Sequence, residues 1–228
     1  MISMIEQRGI RFVDLITGEE RHTVTNWDLV MSRKIIGTPK LKYKSVTLPD
    51  RDGDLDYTDA LFGVPLYENR TLEFTFEYLE DPRMWNERFI DIRNFLHGRK
   101  VKLYDPDDSG AYYYTGRVEV GDPEGGLVKI FEVKVSANPW KLKASGETVE
   151  TIAATPNTTF RIMNDWKPVV PTITTDALVS IQFGNVVYTM EGSGTFKFPK
   201  MLLHHGENVM SVVSGTANVT FTYQEGAI

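Results

Sequence analysis

Ten consecutive residues, Asp50-Arg51-Asp52-Gly53-Asp54-Leu55-Asp56-Tyr57-Thr58-Asp59, carry five aspartates and are the first place to look for chemistry. A calcium loop of the EF-hand kind needs oxygen ligands at its first, third and fifth positions, glycine at the sixth and a bidentate Glu at the twelfth. Counting from Asp50 puts Leu55 and Leu61 at the last two positions; counting from Asp52 puts Tyr57 and Gly63 there. Neither frame fits. A glycosidase pair needs one acid held protonated in a buried site facing a second carboxylate. Acids clustered in a polar loop share solvent and keep ordinary pKa values. The segment therefore reads as a solvated or subunit-contacting loop.

The other reactive residue types are as sparse. The four histidines are His22, His97, His204 and His205. Neighbours such as His204 and His205 point to opposite faces of a strand and cannot share a metal. His97 stands beside Gly98 at a helix end, where a cation favours the helix dipole. The absence of cysteine removes thiolate nucleophiles, disulfides and cysteine zinc sites. No Gly-x-Ser-x-Gly elbow, His-Glu-x-x-His motif or phosphate-binding glycine loop occurs. Trp140 and Trp166 are the aromatic residues that could stack on a sugar. Trp166 lies in the loop-like Asn164-Asp165-Trp166-Lys167-Pro168, although a tryptophan more often anchors packing. Neither catalysis nor a cofactor nor a metal is expected.

Net charge is -6, with no concentrated basic stretch to grip a nucleic acid backbone. An acidic surface lets DNA pass without sticking, but a mild acidic balance also serves ordinary solubility. The first residues lack a basic segment followed by an apolar one, so no signal peptide is expected. No apolar run reaches the roughly 18 residues of a membrane-spanning helix, so no membrane insertion is expected.

The elements that must position these residues are mostly strands. Thr71 to Tyr78 alternates strictly, with Leu72, Phe74, Phe76 and Tyr78 on one face. A helix follows: Asp81 is a natural N-cap, Pro82 takes the first helical position and Gly98 comes after the end. Trp85, Phe89, Ile92 and Leu96 form its apolar stripe. Arg11 to Thr17, Lys40 to Leu48, Lys100 to Tyr104, Tyr112 to Val120 and Leu127 to Ala137 read as further strands, joined by turns rich in Asp, Pro and Gly.

The chain changes character near Trp140. Up to position 140 it holds 19 Lys/Arg and 24 Asp/Glu; beyond it, 6 and 7. Asn138-Pro139-Trp140 supplies a joint, since proline interrupts a ladder. This places one domain at 1–139 and a second at 140–228. The second reads as about eight short strands, around Val149, Phe160, Ile173, Ile181, Val187, Phe196, Val209 and Phe221, which is the pattern of a jelly-roll β-sandwich. The fold class is mainly β, with one packed α-helix in the first domain.

Several runs together resemble a known family. They are Val46-Thr47-Leu48-Pro49-Asp50-Arg51-Asp52-Gly53-Asp54-Leu55-Asp56, then Tyr67 to Phe76, then the helix with Leu96-His97-Gly98-Arg99-Lys100-Val101-Lys102-Leu103-Tyr104. The closing Gly206-Glu207-Asn208-Val209 and Val219-Thr220-Phe221-Thr222-Tyr223-Gln224 continue the match. The order and spacing resemble the distal tail proteins (Dit) of siphophages, in the minimal form without an inserted carbohydrate-binding module. The resemblance implies a barrel-like (split-barrel) first domain that closes a hexameric ring around a channel for DNA, and a galectin-like sandwich projecting from it. It implies a virion protein made in the host cytoplasm and seated at the tail tip, or baseplate. Its partners would be the tail tube protein, a tail-associated hub protein and a receptor-binding protein, while DNA passes without specific binding. A shared galectin-like fold does not license sugar binding.

Ring closure uses two different faces of one domain, and exposed strand edges suit it. The expected contact with the neighbouring subunit is Asp50, Arg51, Asp52, Gly53, Asp54, Leu55 and Asp56, together with Arg70, the two arginines meeting acidic partners. Two other functions stay open: a carbohydrate-binding adhesion module working through Trp166, and a tail-tube subunit, which would not need the second domain. A tail-associated hydrolase is not expected.

Overall fold

The computed structural model describes residues 9–50, 52–58, 63–78 and 80–228. By internal contacts the chain divides into two units, Met1–Ala144 and Ser145–Ile228.

The first unit is built around β6 (Arg70–Tyr78), whose buried residues Leu72, Phe74, Phe76 and Tyr78 follow the alternation of its sequence. Asp81 does cap a start, since its carboxylate accepts the backbone N–H of Arg83 at 3.0 Å, but what it starts is a 3-10 turn over Pro82–Met84. The α-helix proper, α2 (Trp85–Leu96), follows that turn and buries Trp85, Phe89, Ile92, Phe95 and Leu96. Its aromatic stripe meets the sheet through Phe131, which lies 5.8 Å from the Trp85 ring, 5.5 Å from Phe89 and 5.9 Å from Phe76. Gly98, in the left-handed region at φ 76°, ends the helix, and its N–H donates to the Val118 carbonyl.

The remaining strands are β1 (Arg11–Asp14), β2 (Glu20–His22), β3 (Leu29–Ile36), β7 (Lys100–Tyr104), β8 (Tyr112–Val120), β9 (Lys129–Ala137) and β10 (Lys141–Lys143). A short helix, α1 (Thr23–Trp27), sits between β2 and β3. The sheet runs in the order β2-β1-β7-β8-β9-β6-β3, every neighbouring pair antiparallel. Three strands separate β7 from β3 in that order, yet Lys34 of β3 holds Asp105, just past β7, at 2.8 Å. Only a strongly curled sheet brings these two together, which makes the unit barrel-like. β8 also changes neighbours along its length: Gly116–Val120 pairs with β9, while Tyr112 and Tyr113 pair with β10. The change comes at Gly116, where an added Cβ would fall 2.7 Å from the Ser136 carbonyl oxygen. Because β10 still belongs to this ladder, the unit runs to Ala144, past the joint expected at Trp140.

The second unit is a sandwich of two four-stranded antiparallel sheets. One has the order β11 (Thr148–Ala154), β18 (Ala217–Tyr223), β13 (Thr172–Thr175), β16 (Gly194–Phe196). The other has β12 (Thr159–Asn164), β17 (Gly206–Gly215), β14 (Val179–Phe183), β15 (Val186–Met190). Ile162, Ile173, Ile181, Met190, Val219 and Phe221 fill its core. All eight centres named from the sequence lie on these strands. The Gly206-Glu207-Asn208 run acts locally: the Asn208 side chain accepts the His204 N–H at 2.9 Å and donates to the Ile162, His204 and Gly206 carbonyls, closing the turn into β17.

Candidate assembly interface

The acidic segment forms half of a two-stranded ribbon. β4 (Ser45–Thr47) pairs with β5 (Asp54–Asp56) in the register Ser45↔Asp56, Val46↔Leu55, Thr47↔Asp54, and neither strand joins another sheet. The Thr47 hydroxyl donates to Asp54 at 2.7 Å, and the Thr58 N–H to Asp56 at 2.9 Å. The Thr58 hydroxyl, then its N–H, holds the Asp56 carboxyl below the usual aspartate range. Gly53 turns the tip at φ 74°. At the root, Lys42 N–H donates to the Leu66 carbonyl and Glu68 N–H to the Lys40 carbonyl, and Tyr67 packs edge-on against Trp140 at 5.7 Å. Gly37 lets the ribbon leave β3 close against β6, for a Cβ there would lie 2.6 Å from the Thr71 carbonyl oxygen.

Strand alternation divides this ribbon into two faces. Ser45, Thr47, Asp54 and Asp56 share one; Val46, Leu48, Leu55 and Tyr57 share the other. The second face is uncovered: Val46 is 43% exposed and Leu55 and Tyr57 are each 40% exposed. An isolated two-stranded ribbon is marginal in water. A contiguous exposed apolar face is a common feature of interaction sites. The alternation in Ser45-Val46-Thr47-Leu48 was visible in the sequence; the pairing that lines it up with Leu55 and Tyr57 was not.

Among the expected contact residues, Asp50, Asp52, Gly53, Asp54, Leu55 and Asp56 all lie on this ribbon or its tip and are exposed. Arg51 lies outside the described residues. Arg70 is a correction. It is 5% exposed, with its guanidinium carbon 5.5 Å from the centre of the Tyr114 ring, so it is not placed to meet an acid of another subunit. Burial pushes its pKa down from the usual arginine range, opposed by Tyr114 and Asp108. Nearby charges are matched inside the unit: Lys141 holds Asp108 at 2.6 Å, and Lys34 holds Asp105 and Asp107.

Trp166 is 60% exposed, but His205 stacks on it with the ring centres 3.8 Å apart and the planes 8° from parallel, so one indole face is already taken. Among the described residues, no three His, Asp or Glu side chains are grouped so as to hold a metal ion, and no helix is long and apolar enough to cross a membrane.

No protein-family model and no curated protein sequence matches this chain. Among solved structures, it is similar to the Dit protein of phage SPP1, described as a hub of the adsorption apparatus in phages that infect Gram-positive bacteria. The TM-score is 0.61 at 16% identity, over 94% of this chain and 98% of that one. A chain in the baseplate of phage P2, in its activated conformation with calcium, aligns over 94% of this chain and 97% of its own with a TM-score of 0.40 and 7% identity. Along nearly its whole length, the chain therefore has the fold of the SPP1 distal tail protein.

Proposed function

We propose that this chain is a structural, non-enzymatic protein of a phage tail tip, whose first unit closes a ring of six copies around a channel for DNA. In this reading the ring joins the tail tube protein to a tail-associated hub protein and carries a receptor-binding protein. It works without a cofactor and resides in the virion after synthesis in the host cytoplasm. The observation that carries the reading is the β4–β5 ribbon, an amphipathic arm with its apolar face bare, on a fold shared with a phage hub protein. Crossing to a neighbouring subunit would bury that face and leave the aspartates to select the partner by charge.

Replacing residues 45–56 with a short Gly-Ser turn tests this. Light scattering and negative-stain images of the full chain should show six-fold rings, and the trimmed chain should remain monomeric with the melting of its second unit unchanged. Intact rings from the trimmed chain would refute the arm. The exposure of Trp166 favours one second reading, adhesion to a cell-surface glycan through the sandwich. Glycan-array binding that disappears in Trp166→Ala would move the function there.

A further inference from the structure

The tip of the β4–β5 ribbon carries a bond with a chemistry of its own. Asp52-Gly53 is the one place in the sequence where an aspartate or asparagine precedes glycine. In such a pair no Cβ shields the glycine nitrogen, so it can reach the carboxyl of the preceding side chain. Asp52 is exposed, Gly53 takes φ 74°, and a Cβ added at Gly53 would meet nothing within 4 Å. The next two aspartates are engaged: the Thr47 hydroxyl donates to Asp54 at 2.7 Å, and the Thr58 N–H donates to Asp56 at 2.9 Å. Both lie on β5, within the register Ser45↔Asp56 and Thr47↔Asp54, whereas Asp52 comes before it. The chain supplies its own contrast in Asp108-Ser109, its one aspartate followed by serine. Lys141 holds the Asp108 carboxylate at 2.6 Å, and the Ser109 N–H is committed to the Pro106 carbonyl at 3.1 Å. There both reacting groups are held in place; at the ribbon tip the carboxyl stands in solvent.

We propose that Asp52-Gly53 is a modification site, at which the exposed chain converts spontaneously to isoaspartate. The Gly53 nitrogen attacks Cγ of Asp52 and the N–Cγ bond forms. The carboxyl hydroxyl leaves with the amide proton as water, and a five-membered succinimide results. Water then adds to one of the two ring carbonyls. Opening the N–Cγ bond restores aspartate. Opening the bond from the nitrogen to the main-chain carbonyl carbon of Asp52 leaves the chain running through the former side chain. No oxidant or cofactor is consumed, and the water lost in the first step is regained in the second. The product has an extra methylene in its main chain and a carboxylate branching from Cα. It sits just before the Thr47↔Asp54 pair, so the longer tip disturbs the turn that sets the ribbon's register. The inference stands on the ribbon's own geometry and does not need the ring reading.

The full chain, kept dilute in neutral buffer and warmed well below unfolding for several weeks, tests this in water enriched in heavy oxygen. Each passage through the ring leaves a solvent oxygen on the residue, which mass spectrometry of its peptide reads directly. Isoaspartate itself is read with an isoaspartyl methyltransferase and by resistance to a protease that cuts before aspartate. Both signals are expected to build up at residue 52 about tenfold or more faster than at residue 108, where the groups are held. Gly53→Ala should slow the build-up by about tenfold, because its Cβ shields the nitrogen. Should the positive φ make that variant strain the tip, Asp52→Glu carries the same comparison. It keeps the charge and the glycine, and its longer side chain closes a six-membered ring far less readily, so the signal should vanish. Build-up at residue 52 no faster than at residue 108, or confined to chain unfolded in urea, would overturn the proposal. A signal that survives Asp52→Glu would overturn it too, since another residue would then be its source.

Discussion

Two strand faces, one in each unit, meet solvent in different ways. Across the four strands β11, β18, β13 and β16 of the second unit, Thr151 stands opposite Thr220, Thr220 opposite Thr174, and Thr174 opposite Thr195. Their hydroxyls meet in pairs, at 2.9 Å for Thr151 and Thr220 and 3.3 Å for Thr174 and Thr195. Such cross-strand pairs stabilise a sheet from its wet side and ask nothing of a neighbour. In the first unit, by contrast, the β4–β5 ribbon leaves Val46, Leu48, Leu55 and Tyr57 exposed on one face. The contrast is one of single faces and not of whole units, since Val149, Met163, Val187 and Val209 of the second unit are exposed as well.

If the units are separate cooperative bodies, a core defect in one should spare the other. The largest effect is expected for Phe131→Ala, which removes the ring that meets Phe76, Trp85 and Phe89 together. Loss of a buried aromatic costs about 3–5 kcal/mol. In calorimetry the transition of the first unit should fall by many degrees while that of the second stays in place. A single merged transition falling as a whole would break the comparison at its root.

Next comes the ion network that marks the curled sheet. Asp105 is 4% exposed; it holds Lys34 and also accepts the Asp107 N–H at 3.0 Å. Asp105→Ala leaves Lys34 only Asp107, and stripping a buried pair of one partner costs about 2–4 kcal/mol. Burial alone would push Lys34 down, but the hydrogen bonds to Asp105 and Asp107 outweigh it and raise its pKa above the usual lysine value. A raised lysine contributes stability that is fully present below about pH 10 and is lost as pH rises through the folded value. The gap between wild type and Asp105→Ala should therefore persist to pH 10 and close only above it, read by urea unfolding followed through a first-unit tryptophan.

How far the sequence disclosed this plan depended on where regularity survived. β6, α2 and the eight sandwich strands were legible because alternation, a helical stripe and turn residues repeat without interruption. The stretch from Glu20 to Ile36 was not. In β3 the register slips between Met31 and Arg33, leaving Ser32 out of the alternation. α1 has only five residues and is capped by the His22 side chain instead of a Ser, Thr or Asp. Trp27, which donates its indole N–H to Asp91 at 2.7 Å, gave no local sign of that distant partner. The acidic run with its glycine reads as an exposed loop, and the ribbon it forms is exposed. Arg70 misled because a charge at a strand start normally faces water, and only the fold brings Tyr114 beneath it.

A smaller effect separates the units in acid. Asp14 is 1% exposed; it accepts the N–H groups of Thr17 and Ile16 and pairs with Arg99. The Thr17 N–H foremost, against burial, holds its carboxyl below the usual aspartate range. A lowered carboxylate contributes stability that is present above about pH 4 and is lost as pH falls through the folded value. Asp14→Ala should cost the first unit about 1–2 kcal/mol at neutral pH, and the difference should fade below pH 4. A difference that held constant to pH 2 would mean packing, not charge, supplies the effect.

The smallest effect belongs to the second unit and lies at the other end of the pH scale. The Tyr223 hydroxyl donates to Glu150 at 2.9 Å and also contacts the Met163 carbonyl, tying β18 to both β11 and β12. Burial first, then the bond to Glu150, pushes its pKa well above the usual tyrosine range. For a tyrosine a raised pKa means that the fold prefers the neutral form. Stability is then whole below the unfolded value of about 10 and drains away as pH rises beyond it. Tyr223→Phe keeps the ring in the core and loses only the hydroxyl's bonds, at about 1 kcal/mol. It should lower the second transition by a few degrees at pH 7 and make it less sensitive to alkali than wild type between pH 10 and 12. If the chain assembles into the ring proposed above, that assembly should not change, because the bond lies wholly within the second unit. Loss of rings in Tyr223→Phe would show that the two units are not independent, and that the sandwich helps set the geometry at which the first unit meets its neighbour.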